Sequence, residues 1–393
     1  MRNGLDISGV SEFAHEIGEK PVEAVIDFNT GTVPTLAGAD VTVRTAHHGT
    51  QRMARSFRIP FTDDSARWLG GLSAHEAAVA ALGACVLITH VHGYSARGIT
   101  ITTLRVTVTA AVEVDATGRW TGGDTALHDV RYLIETDSDG APDTVGEVSQ
   151  FVTCFSPNHR AFLDEGSYGL SAVAVRSDGT AEVTTLDQMA PAPAAGGGSR
   201  LELTAVLTWE YGTEAVATTA FAPGGDRRRD RPEMVVDQSK QMLGIDRGPN
   251  PQELLLAAVS ADLTSSVRAL AGDRGLDLDL NGLEIEASGR LDIRGMLNVS
   301  PDIPARFHNL RFLVRADTGA PLNDLAALVR EAAEGNVLLA TLLRANEVQV
   351  KVRTPTGQLA AFRSHGGQVA DFLAEMARKQ AAMQANNALA GQG

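Results

Sequence analysis

Two stretches of this chain are apolar on nearly every face, and each lies between segments in which apolar and polar residues alternate. They are SAHEAAVAALGACVLITHVHGYSARG (73–98) and NPQELLLAAVSADLTSSVRALAGDRG (250–275). Both open with helix-start chemistry. Ser73 with Glu76 makes a capping box, while Asn250, Pro251 and Glu253 supply an N-cap, a first-turn proline and a first-turn acid. Gly98 and Gly275 supply the stops. The pattern predicts two helices of about 22 residues, roughly 33 Å long. With so little polar face, each belongs in the middle of the fold.

Period-two alternation marks the flanking segments as antiparallel strands. In the first half these are 24–31, 40–48 and 56–64; residues 201–212 and 215–223 repeat the opening in the second half. After each long helix come further alternating runs, at 101–115 and 280–295. The strands that begin near His128 and His308 follow, then a second helix (PDTVGEVSQFVTC or PLNDLAALVREAAEG) and a closing strand at 170–177 or 347–354. The order of strands, long buried helix, strands, second helix and final strand is an α+β plan with helices packed on antiparallel sheet.

The two halves repeat one another. At an offset of 177, Glu76 falls on Glu253, Arg97 on Arg274, Gly98 on Gly275, and Cys85 on Asp262. At an offset of 180, His128 meets His308 and Arg131 meets Arg311. The Ala/Pro/Gly-rich stretch 187–200 reads as a flexible linker. It divides a first domain (1–186), with both cysteines, from a second (201–365), which lacks them; a C-terminal helix and polar tail (366–393) follow.

A net charge of −14 argues against a nucleic-acid partner, and the basic run Asp226–Arg231 is broken by aspartates and reads mainly as a solvated loop. No stretch is expected to reach the roughly 20 apolar residues of a membrane span, and the N-terminus lacks the pattern of a signal peptide. A soluble, cytoplasmic protein is expected. Two cysteines in 393 residues are no disulfide framework, so any role for them is as reactive thiols. His90 and His92 lie two apart on a helix, and His47 and His48 are adjacent on a strand, so neither pair is a metal site.

The blocks HEAAVAALGAC (75–85), VTCFSPNHRAFL (152–163) and GPNPQELLLAAVSAD (248–262), set in this order among strands, resemble the OsmC/Ohr superfamily. The second copy matches the family's helix opening and lacks its cysteine; the first keeps the cysteine and matches the opening loosely. The resemblance implies two related domains that form, within one chain, the intertwined dimer typical of the family, and it leaves further dimerisation open. It also implies thiol-dependent reduction of organic hydroperoxides by a dithiol reductant, with no cofactor.

On that resemblance Cys85 is the attacking thiol and Cys154 the resolving one, with Pro157 later than the family's Cys-Pro. A buried thiol in an apolar helix has a raised pKa, so compensating charge is needed. The family uses an arginine held by a glutamate; the candidates are Arg44, Arg52 and Arg55, with Glu76 as the acid. Glu76 reads equally as a helix cap, and the family's acid position is taken by His75, either a thiolate donor or a partly exposed first-turn residue. The second-copy counterparts are Asp262 for Cys85, Asn336 for Cys154 and Glu253 for Glu76, a degenerate site. Asp262 must be paired or protonated if buried, or line a pocket of altered chemistry. Two further readings stay open: an enzyme of another reaction class acting on a specialised small molecule, and a non-catalytic ligand-binding pseudo-dimer.

Overall fold

A computed structural model describes residues 1–63, 71–114, 126–187, 199–222, 233–276, 278–300, 302–367, 369–375 and 378. Most of the expected linker, the basic run 226–231 and residues 379–393 of the tail lie outside the described residues.

The first half contributes strands β1 (Val25–Pro34), β2 (Gly38–His48), β3 (Gln51–Arg52) and β4 (Ser56–Thr62) after an N-terminal helix α1 (Ile7–Glu19). The long helix α2 (Ala74–Ala96) follows, then β5 (Ile101–Val114), β6 (His128–Ser138), α3 (Pro142–Thr153), α4 (Pro157–Leu163), β7 (Tyr168–Val175) and β8 (Ala181–Leu186). The second half repeats the series: β9 (Ser199–Tyr211), β10 (Glu214–Ala222), β11 (Met234–Val236), α5 (Pro251–Arg274) and β12 (Leu278–Asp292). A short α6 (Ile293–Met296) precedes β13 (Phe307–Thr318), α7 (Leu322–Glu334), α8 (Val337–Leu343), β14 (Glu347–Thr354) and β15 (Gly357–His365).

These strands form two sheets, and each takes strands from both halves. The first runs β3-β2-β1-β12-β13-β7-β8, with β4 also on β2; the second runs β11-β10-β9-β5-β6-β14-β15. The opening hairpin of one repeat therefore pairs with the middle strands of the other. Each sheet is antiparallel except at one junction, β13 with β7 or β6 with β14, where strands of different repeats meet in parallel. The fold is thus α+β, with two sheet-and-helix units interleaved as an intramolecular pseudo-dimer.

Helices α2 and α5 pack against one another at the centre, α5 covered by β1, β2 and β12, and α2 by β5, β9 and β10. This explains their all-round apolar surfaces. Both pass the length and hydropathy test for a membrane span, contrary to the expectation from sequence, yet 89% and 72% of the relevant windows are buried within the protein. They are core helices wrapped by strands of both repeats. Both caps form as read, with reciprocal bonds between Ser73 and Glu76 and between Asn250 and Glu253. Gly98 and Gly275 end the helices at φ +76° and +62°, a left-handed turn that costs glycine little.

Candidate functional site

The N-terminus of each central helix meets the middle of the other, and this crossing creates two related centres. At the first, the buried Cys85 of α2 accepts a hydrogen bond from Gln252 Nε2 at the start of α5 (3.2 Å). It accepts a second from the backbone N–H of Asn158 in the first turn of α4 (3.4 Å). The Asn158 amide is fixed in turn by donating to the carbonyls of Ala81 (3.0 Å) and Pro251 (2.8 Å), so it ties α2, α4 and α5 together. The fully buried Ser156 hydroxyl, at the N-cap of α4, donates to the same sulfur and lowers its pKa.

Burial pushes the Cys85 thiol up to about 11, and the surrounding donors offset only part of that effect. Among the described residues no guanidinium touches the sulfur. Cys154 is the C-cap of α3, two residues before Ser156, and its Sγ donates to the carbonyl of Gln150 (3.6 Å). Burial raises it to about 11 as well, opposed by the nearby Arg160. Both thiols are free. The first turn of α4, which begins after Ser156, directs the Asn158 N–H at Cys85 and not at Cys154.

At the second centre the same positions carry different chemistry. Asp262 Oδ2 accepts from the backbone N–H of Leu338 in the first turn of α8 (3.2 Å), the counterpart of the bond from Asn158 to Cys85. His75 Nε2 lies 3.4 Å from Asp262 Oδ1, where Gln252 meets Cys85. Both residues are buried. The carboxylate is therefore paired across the pseudo-twofold, one of the alternatives that its burial demanded.

This crossing changes several assignments made from the sequence. His75 belongs with Asp262 and not with Cys85, because the first turn of α2 faces the middle of α5 while Cys85 lies near the middle of its own helix. Glu76 caps Ser73 in that same first turn. Asn336 is the N-cap of α8, donating to Ser266 and accepting from Leu339, so its counterpart is Ser156; Cys154 corresponds to Glu334. An offset of 180 applied to this block would have given that pairing.

The three arginines separate by the face they occupy. Arg55 is buried and holds Glu253 through Nε (3.1 Å to each carboxylate oxygen), the Asp246 carboxylate, and the carbonyls of Asp237 and Gly248. Thr45 donates to the same Glu253 (2.6 Å), and the Arg55 guanidinium lies over Phe57. The ion pair thus fixes the start of α5, next to Gln252, and uses Glu253 and not Glu76. Glu253 therefore sits beside the Cys85 centre, not in the degenerate one. Arg44 and Arg52 are exposed on β2 and β3, away from both central helices, since on β2 it is the alternate residues Val43 and Thr45 that point inward.

Sequence reasoning missed Gln252, Asn158 and Ser156. Gln252 could have been found, as it stands at the offset of 177 from His75; Asn158 carried no such signal, because its N–H is a backbone group whose target is set by packing. Residues 244–353 match the family model described as OsmC-like protein. No curated protein matches the chain.

Proposed function

The chain carries an OsmC-like domain, and from that premise and the donors gathered on Cys85 we propose that it is a soluble, cytoplasmic thiol-dependent peroxidase that reduces organic hydroperoxides. The observation that carries this reading is the sulfur itself. It accepts from Gln252, from the Asn158 N–H and from the buried Ser156 hydroxyl. A sulfur that receives hydrogen bonds is arranged as an acceptor, and the same donors can turn to an oxygen added to it.

In the proposed cycle the Cys85 thiolate attacks one peroxide oxygen and the O–O bond breaks. The departing alkoxide takes a proton and leaves as the alcohol; the sulfur, oxidised by two electrons, becomes a sulfenic acid. Cys154 then attacks that sulfur, its proton leaves with the hydroxyl as water, and a disulfide forms. An external dithiol returns two electrons, becoming a disulfide itself. Burial sets the limit on rate, because a thiol near 11 is mostly protonated at neutral pH. The arginine is not in contact with the sulfur; Arg55 acts as a positioning residue, holding Glu253 and with it the turn that presents Gln252.

One feature favours a second reading. The groups on Cys85 are neutral amides and a hydroxyl, which suit a nucleophile for another reaction class, or a ligand-binding pseudo-dimer, as well as a peroxidatic thiol. The test is turnover of cumene hydroperoxide and of hydrogen peroxide by the purified protein with dihydrolipoamide, with intact mass to follow the disulfide. Cysteine-dependent turnover with a loss of about 2 Da supports the peroxidase. Loss of function with Cys85→Ser but not with Cys154→Ser supports other nucleophilic chemistry, and an inert protein with no disulfide supports binding.

A further inference from the structure

The two sheets are related by the repeat, and the outer face of the first carries a groove. A row of facing residues crosses it: Arg44 on β2 opposite Asn29 on β1, Asn29 opposite Ser288 on β12, Ser288 opposite Arg311 on β13, and Arg311 opposite Gly169 on β7. The corresponding row of the second sheet reads Ala220, Thr204, Thr109, Arg131 and Gln349. One row on, Gly31, Glu286 and Ser171 in the first sheet stand where the second has Val206, Thr107 and Lys351.

The substitutions have a common effect. Glycine and serine on β1 and β7 leave a trough of roughly 660 Å³, the size of a small-molecule site. Arg44 and Arg311 line the row that holds Asn29 and Ser288, about three strand spacings or 14–15 Å apart across the sheet. Glu286 and Glu284 line the adjoining part of the groove, with a Glu284 oxygen leaning over Gly31, 3.4 Å from where a Cβ would stand. Among the described residues none of these four charges makes a hydrogen bond or ion pair within the protein. The Asn29 Oδ1 on the floor is shut off from solvent and likewise has no partner.

We propose that this groove binds a small zwitterion. Arg44, Arg311 and the Ser288 hydroxyl take its phosphate or carboxylate; Glu286, Glu284 and the Asn29 carbonyl oxygen take its ammonium. A purely anionic ligand is opposed by the two glutamates and by the chain's net charge of −14, and a purely cationic one by the two arginines. Opposite charges within one ligand satisfy both ends. The groove lies on the face of the sheet turned away from α5, so this binding is independent of the chemistry at Cys85.

Isothermal titration of the full-length protein with phosphoethanolamine and with glycylglycine tests it, against inorganic phosphate and ethanolamine alone. The expected result is saturable binding of at least one zwitterion, about tenfold or more tighter than either single-charge probe. Arg311→Ala should weaken it at least about tenfold, and Glu286→Gln should remove the preference over phosphate. Both positions are surface residues, and circular dichroism checks that the variants fold. The proposal is overturned if neither zwitterion gives saturable heat up to about 10 mM, or if both variants bind like the parent. It is also overturned if sedimentation shows a dimer that Arg311→Ala dissociates, since the groove would then be a self-association surface.

Discussion

The Cys85 and Asp262 centres share one backbone plan and differ in the side chains that meet there. In both, a first-turn N–H of a short helix meets the middle of a long one, at 3.4 Å for Asn158 to Cys85 and 3.2 Å for Leu338 to Asp262. In both, the tenth residue before the central one of the other helix completes the contact. A neutral thiol with a neutral amide stands on one side, a carboxylate with an imidazole on the other. The difference teaches that the scaffold holds a polar atom at this crossing whatever its chemistry. Placement comes from the fold, while reactivity comes from the single residue placed there.

The largest effect expected separates the two centres by activity. Cys85→Ser should lower hydroperoxide turnover by at least about a thousandfold, a loss on the order of 4 kcal/mol of barrier lowering, while Asp262→Asn should change it less than about threefold. Steady-state assays with dihydrolipoamide check this. Equal losses in both would break the comparison.

Next in size is the support around the first centre. Glu253→Ala leaves the buried Arg55 without its main counter-charge and removes a helix cap, so unfolding in urea should show a loss of about 3–5 kcal/mol. Arg52→Ala, on the exposed end of β3, should stay within about 0.5 kcal/mol of the parent.

The thiol pKa gives the third test. Because burial holds Cys85 near 11, its alkylation by iodoacetamide should climb about tenfold per pH unit from 7 towards 11. The same shift has a stability consequence whose sign is fixed. An unfolded thiol releases its proton near 9, and the folded one holds it to about 11. The stabilisation is therefore complete below 9 and is lost as pH rises through 11, on the order of 2–3 kcal/mol per thiol. Replacing both cysteines by alanine should flatten that alkaline decline.

The smallest expected effect sharpens the likeness of the centres. The double change His75→Gln with Asp262→Cys places a thiol, an amide and a short-helix N–H at the second crossing, with Asn336 where the first has Ser156. Its new thiol should alkylate at a rate within about tenfold of Cys85 at every pH, as measured by mass spectrometry of the separated peptides. A thiol with an ordinary pKa there would show that α4 and α8 do not supply equivalent surroundings.

Much of this architecture was legible along the chain, because caps, glycine stops and hydrophobic periods are local. The Ser73 to Glu76 and Asn250 to Glu253 boxes, the two long helices and the alternating runs all took the form that their own residues specified. Less of the site could be read. Cys85 and Asp262 stand out as matched positions, but the sequence groups His75 and Glu76 with Cys85, and nothing local marks Gln252 or Asn158 as its partners.

By itself the sequence determined the repeat, the fold class and the position of each thiol within its element, since these follow from spacing and from forces acting between near neighbours. Tertiary structure decided which half completes which centre. That choice depends on strands of one repeat pairing with those of the other and on two helices crossing head to middle. Such contacts join residues 73 to 208 positions apart, as in Asn158 with Cys85 and Thr45 with Glu253, and no local pattern encodes them. Only the closed core, by burying both helices together, fixes which side chain meets the sulfur.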